Sequence, residues 1–154
     1  MNPMRRAERG MAALEMVLVL LLGTGVLAAV VLLGRLTWHA TALQKAVAGT
    51  GRFISTLPRE TLNTPGIGDV VEPFARVQVQ GAALAAGLDT RPSAGSIRVN
   101  CTPDGWTCGD GAVTEIQVRA AIRFHDTVFG NAFTGLLPEA GLFFQAEYRQ
   151  TYVP

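Results

Sequence analysis

One uninterrupted apolar run near the N-terminus constrains the fold of this chain more than any other feature. From Met16 to Gly34, nineteen consecutive residues carry no charge, and about 18 such residues are enough for a helix that spans a membrane. The run therefore predicts a transmembrane helix over residues 11–34. The 154-residue chain leaves room after it for one folded domain with a modest core.

A single glutamate, Glu15, stands at the start of this run. An ionisable side chain deep in a bilayer costs roughly 2.5 to 3.5 kcal/mol, and less near the interface, so we expect it to have a partner. Cleavage after Gly10 would provide one, because it leaves Met11 with an α-amino group whose pKa is about 7.7 to 8 in model compounds. Glu15 lies one turn from that amine, and pairing across subunits would set the register of packed helices. In the simpler alternative, Glu15 reaches the lipid headgroups and Gly10 has no role.

The charges that flank the run indicate its orientation. Three arginines precede it: Arg5, Arg6 and Arg9. Only Glu8 opposes them and only Arg35 follows the run closely, so we expect a cytoplasmic N-terminus and a periplasmic or extracellular head. A cleaved secretory signal ending at Ala40-Thr41-Ala42 is disfavoured because its apolar core would be too long. The net charge of +1, with no basic block beyond the leader, disfavours nucleic-acid binding.

The apolar pattern continues past Gly34 with a helical period, which predicts an amphipathic stem over residues 35–57 that ends before Pro58. The apolar positions of this stem are Leu36, Ala40, Leu43, Val47 and Ile54. After a linker at residues 61–68, a second helix is predicted over residues 70–86, with Asp69 as N-cap and Gly87 as a left-handed stop. Its apolar face is expected to hold Val70, Phe74, Val77, Gly81, Leu84 and Leu88. The rival interpretation is a short strand at residues 76–80.

Beyond Pro92 the apolar period changes to two, which is typical of strands. Three alternating runs begin near Ile97, Ile116 and Leu142. They predict a small antiparallel sheet of about three strands backed by helix, and therefore an α+β fold. Residues 126–141 between the last two runs form a long apolar loop, which is either a lid over the core or a docking surface.

Two cysteines, Cys101 and Cys108, bracket the turn-forming segment Pro103-Asp104-Gly105. An even number of cysteines outside the cytosol favours a disulfide, and closing so short a loop contributes on the order of 2 to 3 kcal/mol. Zinc would need two further ligands, and His125 is the only histidine nearby in sequence, so no metal site is predicted.

Catalytic chemistry has little support in the sequence. His39 and His125 are the only histidines, and there is no nucleophile elbow, paired-histidine metal motif or phosphate-binding loop. No enzyme activity and no cofactor are therefore expected. Four charged residues are expected on the solvated sheet face or in pairs across strands: Glu115, Arg119, Glu147 and Arg149.

The chain resembles a known family over nearly its whole length, but the resemblance is specific only in the first fifty residues. Three segments look like the start of the TadE-like proteins, which are minor pilins or pseudopilins of the tight-adherence (Flp) pilus system: Arg6-Ala-Glu-Arg-Gly10, Met11-Ala-Ala-Leu-Glu15 with its apolar run, and Leu43-Gln-Lys-Ala-Val-Ala48. The later order of helix, strand, Leu136-Leu137-Pro138 and final strand also fits. Family members often have Phe or Tyr after the glutamate, whereas this chain has Met16. That departure leaves open a TadF-like sister or a pseudopilin of a related secretion system.

The resemblance implies a pilin-like fold and a role in pilus assembly. A prepilin peptidase would cut after Gly10, so that Met11 is the first mature residue and Glu15 the register carboxylate. The expected organisation is a leader at 1–10, a transmembrane helix at 11–34, a stem at 35–57 and a head at 58–154. The expected partners are the prepilin peptidase, other pilin subunits, the assembly machinery and lipid, in the bacterial inner membrane or a surface pilus. The alternative is an unprocessed, signal-anchored periplasmic binding module.

Overall fold

A computed structural model describes residues 3–124, 128 and 142–152, with side chains from Met11 onward. The helices are α1 (Pro3–Ser55), α2 (Arg59–Leu62) and α3 (Gly68–Ala85), followed by a short 3₁₀-helix (Ala94–Ser96). The strands are β1 (Arg98–Asn100), β2 (Glu115–Phe124) and β3 (Leu142–Thr151). The predicted loop at 126–141 lies outside the described residues, apart from Val128. The fold is α+β, as expected, and divides into two compact units, Met1–Leu36 and Thr37–Pro154.

The first unit is the apolar part of α1. Most of its large side chains are exposed: Leu14 is 71% and Leu27 is 66% exposed. The most apolar 18-residue stretch has no buried residue, and the helix is long and apolar enough to cross a membrane. Such a surface is unfavourable in water, so the helix is compatible with a single-pass membrane anchor.

In the second unit, one face of α1 forms part of the hydrophobic core. The buried apolar residues of this stretch are Leu43, Ala46, Val47 and Ile54. They follow the i, i+3, i+4, i+11 spacing of one helical face, as the amphipathic pattern predicts. Thr50 is also buried, and its hydroxyl donates to the Ala46 carbonyl oxygen at 2.9 Å, so its polar atom is satisfied within the helix.

Helix α3 differs from the sequence-based expectation in two respects. It begins at Gly68 with Ile67 as N-cap and no side-chain cap hydrogen bond, so the assignment of Asp69 as N-cap was wrong. The buried face consists of Val71, Ala75, Val79 and Ala83, with Leu88 just beyond the helix. The face expected to be buried is largely exposed: Val70, Val77 and Leu84 are 63%, 68% and 55% exposed. The helix therefore has two apolar stripes. The buried stripe contains Ala75 and Ala83, whose small side chains allow the backbone of α3 to pack closely against the core.

The end of α3 follows the predicted left-handed stop. Gly87 has φ +68°, and its N–H donates to the Leu84 carbonyl oxygen at 3.0 Å. The N–H of Leu88 donates to the Ala83 carbonyl oxygen at 3.1 Å, which completes a Schellman motif. Leu88 is buried, so the stop also adds an apolar residue to the core.

The three strands form one antiparallel sheet in the order β1-β2-β3, as the alternating runs predict. Strand β2 is central, pairing Val99 with Val118 on one side and Ala120 with Ala146 on the other. Its inward side chains are buried: Ile116, Val118, Ala120, Ile122 and Phe124. The first four of these join the apolar residues of α1 and α3 in one core, so the opposite sheet face is available for polar groups.

Candidate functional site

The predicted processing site lies within α1. Gly10, Met11 and Glu15 all belong to this helix, and Met11 is 71% exposed. Glu15 is exposed four residues after Met11, one helical turn along the same face. It forms no hydrogen bond or ion pair with any residue that the structure describes. Its carboxylate is therefore available to a partner outside the chain, or to an amine that cleavage would create.

The two cysteines form the expected disulfide. Cys101 and Cys108 are joined with their Cα atoms 4.8 Å apart, and both are buried. A turn lies between them, in which the N–H of Gly105 donates to the Thr102 carbonyl oxygen at 3.1 Å. The bridge closes the loop between β1 and β2 on itself rather than joining two paired strands.

This disulfide loop also packs against the start of α3 and the segment before it. The N–H of Gly68 donates to the Cys108 carbonyl oxygen at 3.1 Å. Gly109 has φ +91°, and a Cβ there would lie 2.6 Å from the Thr64 carbonyl oxygen. The loop and the segment therefore meet backbone to backbone, an arrangement that only glycine permits at residue 109.

The outer sheet face carries a charged cluster centred on Glu147. Gln117 Nε2 donates to Glu147 Oε1 at 2.6 Å, and Arg149 Nη2 donates to the same oxygen at 3.0 Å. Arg119 Nε lies 3.2 Å from Glu147 Oε2, but its N–H does not point at that oxygen, so the contact is an ion pair without a hydrogen bond. The hydrogen bond from Gln117, with those charges, lowers the pKa of the Glu147 carboxyl below its usual range. Arg149 also pairs with Glu115 at 2.9 Å. All four predicted charged residues are thus in ion pairs across strands.

One face of α3 forms an exposed apolar surface, which the sequence pattern predicts to be buried. We call Val70, Val77 and Leu84 the α3 stripe, since all three are more than half exposed. Next to it, the rings of Phe53 and Phe74 stack with centroids 5.1 Å apart, and Phe53 is 53% exposed. The signal was present, because apolar residues recur on this face, but pattern alone could not tell an exposed stripe from a buried one.

His39 belongs to the core rather than to a reactive site. It is 2% exposed, and its Nε2 accepts a hydrogen bond from the Asp89 N–H at 3.3 Å. Its ring lies edge-on to Phe124 with centroids 5.1 Å apart. Among the residues that the structure describes, no three His, Cys, Asp or Glu side chains are grouped as metal ligands would be.

The geometry thus offers an exposed apolar helix with one carboxylate, a disulfide-closed loop, a paired charge cluster and an exposed apolar stripe. Comparison with known proteins adds no family to this picture: no family model, no curated protein and no solved structure matches the chain.

Proposed function

We propose that the chain is a TadE-like minor pilin or pseudopilin that supports assembly of a tight-adherence (Flp) pilus. In this proposal, a prepilin peptidase cuts after Gly10, and the mature helix that begins at Met11 packs beside the helices of other subunits. The second unit is then the periplasmic or surface-exposed head.

The observation that carries the proposal is Glu15 at the start of the apolar, exposed stretch of α1. A membrane helix needs no carboxylate, and this one has no partner in the described chain. Cleavage after Gly10 would create a cationic amine one turn away. It would also place Glu15 near the positive end of the helix dipole, where a carboxylate is stabilising. Each helix would then carry complementary charges at one end, which favours a fixed register between neighbours.

Two features of the second unit support the proposal. The disulfide between Cys101 and Cys108 suits an oxidising compartment, in agreement with a head outside the cytoplasm. The α3 stripe leaves large apolar side chains exposed, which is typical of a surface that another subunit covers.

Cleavage is tested by N-terminal sequencing of the membrane-associated protein from cells with and without an active prepilin peptidase. We expect a new N-terminus at Met11 only when the peptidase is present. A Gly10→Leu variant should remain uncut, because its side chain obstructs approach to the scissile peptide bond, whereas the matched Ala12→Leu variant, beyond the cut, should still be processed. Retention of the leader in peptidase-active cells would instead indicate the signal-anchored binding module.

The register role of Glu15 is tested separately from cleavage. Glu15→Gln keeps the size of the side chain and removes its charge, so we expect normal cleavage and loss of pilus assembly, scored by co-purification with filaments. Met16→Leu changes the next residue without changing charge and should assemble normally. If the Glu15→Gln protein is cut and still enters filaments at the wild-type level, Glu15 does not set the register.

A further inference from the structure

A cavity opens at one end of the sheet, away from the Glu147 cluster. Its volume is about 420 Å³, which is within the range of small-molecule sites. The residues that give it chemical character are Thr90, Arg91, Ser93, Ser96, Arg123 and Phe143. We call it the arginine cavity, since two arginines line it together with three hydroxyl-bearing residues and one aromatic residue.

The two arginines of this cavity are unlike the other arginines of the sheet. Four arginines lie on strands, and three of them are in ion pairs: Arg98 with Glu72 at 3.2 Å, Arg119 with Glu147, and Arg149 with Glu115. The side chain of the fourth, Arg123, has no ion pair or hydrogen bond with the residues that the structure describes, and neither does the side chain of Arg91. Two like charges that line one cavity repel each other, so an anion bound between them would relieve an unfavourable interaction.

The loop that forms one wall of the cavity is held in place before any ligand arrives. Pro92 is fully buried, and Gln80 Nε2 donates to its carbonyl oxygen at 3.0 Å. The hydroxyl of Ser96 donates to the Ser93 carbonyl oxygen at 2.8 Å, and Ile97, the next residue, is completely buried. The wall therefore loses little conformational freedom on binding, which favours affinity.

The opposite wall comes from the end of the sheet. Arg123 on β2 is the register partner of Phe143 on β3, so a guanidinium and an aromatic ring lie side by side on one face. Phe143 is 63% exposed, so its ring is accessible to a ligand. An aromatic ring offers a flat apolar surface, while the arginines offer paired N–H donors that match a carboxylate.

We propose that the arginine cavity binds a sugar ring that carries a carboxylate, a uronate unit of an acidic polysaccharide. The carboxylate pairs with Arg91 and Arg123, the C–H face of the ring packs on Phe143, and the sugar hydroxyls bond to the hydroxyls of Thr90 and Ser93. This binding activity is additional to pilus assembly and does not depend on it.

The test uses the full chain in a zwitterionic detergent without a sugar headgroup, titrated with sodium D-glucuronate by calorimetry and by saturation-transfer NMR. We expect glucuronate to bind at least about tenfold more tightly than D-glucose, since a charge-assisted contact contributes about 1.4 kcal/mol or more. The NMR transfer should be strongest on the ring protons that face Phe143. Equal affinity for glucose and glucuronate would overturn the proposal.

Matched variants separate this site from general attraction of anions. Arg123→Gln should weaken glucuronate binding at least about tenfold, whereas Arg98→Gln, an exposed but ion-paired arginine on β1, should change it less than about twofold. Phe143→Ala should weaken glucuronate binding and leave acetate binding unchanged. Equal losses in the Arg123 and Arg98 variants would overturn the proposal. So would tighter binding of triglutamate than of glucuronate, which would identify an acidic protein surface as the partner.

Discussion

The ring of Tyr148, on β3, occupies the space that a side chain at Gly51, on α1, would need. A Cβ built at Gly51 would lie 2.1 Å from the Cδ1 atom of Tyr148 and 2.8 Å from its Cγ atom. Because Cγ is close to the backbone, the ring cannot move aside without shifting the strand. The absence of a side chain at residue 51 is therefore what lets helix and sheet meet.

From this contact we expect Gly51→Ala to lower the free energy of unfolding by about 1 to 3 kcal/mol, since overpacking outweighs the gain in helix propensity. Gly49→Ala is the matched control, because nothing lies within 4 Å of its Cβ position and alanine favours the helix by about 0.5 to 1 kcal/mol. Denaturant unfolding of the full chain in detergent, followed by circular dichroism, measures both. Equal stability of the two variants would contradict the packing.

The buried face of α3 is tested by two valines two residues apart. Val79 is completely buried, so Val79→Ala should cost about 1 to 3 kcal/mol of unfolding free energy through lost packing. Val77 is 68% exposed, and Val77→Ala should change stability by less than about 0.5 kcal/mol. The same denaturant titration compares the free energies of unfolding of the two variants. If Val77→Ala were the more destabilising of the two, the face of α3 that holds Val70, Val77 and Leu84 would be the buried one.

Loss of the disulfide is expected to destabilise the second unit by about 2 to 3 kcal/mol, because the short loop between Cys101 and Cys108 regains freedom in the unfolded chain. The double variant Cys101→Ala and Cys108→Ala should melt at a lower temperature than the oxidised wild type. Reductant should lower the melting temperature of the wild type and leave that of the double variant unchanged. If reductant leaves the melting temperature of the wild type unchanged, the disulfide is not formed.

Glu147 makes stability depend on pH. Its folded-state pKa is lowered, so its ion pairs add stability above the unfolded-state pKa of about 4.3, and this gain is lost as the pH falls through the folded value. At pH 7 we expect Glu147→Gln to be less stable than the wild type by at most about 1 kcal/mol, since solvent screens a partly exposed group. The difference should shrink below pH 4 and in 1 M NaCl. A difference that stays constant from pH 7 to pH 3 would contradict the ionic origin.

Local patterns predicted much of this fold, because each depends on neighbouring residues. The alternation from Ile116 to Phe124 predicted the central strand, and Gly87 predicted the end of α3. Which stripe of α3 is buried depends instead on packing against elements distant in sequence, and here Ala75 is completely buried whereas Val77 is 68% exposed. The fit of Gly51 against Tyr148 and the placement of Arg91 and Arg123 around one cavity both involve residues far apart in sequence, so no local pattern could predict them.

The core residues of α1 have a practical consequence for shortening the chain. Leu43, Val47 and Ile54 are as deeply buried as the strand residues they meet, although a sequence-based division would discard them with the stem. A fragment that starts at residue 58 would lack one wall of its core and would expose the inner faces of α3 and the sheet. A soluble version is better begun near Thr37, where the second unit begins.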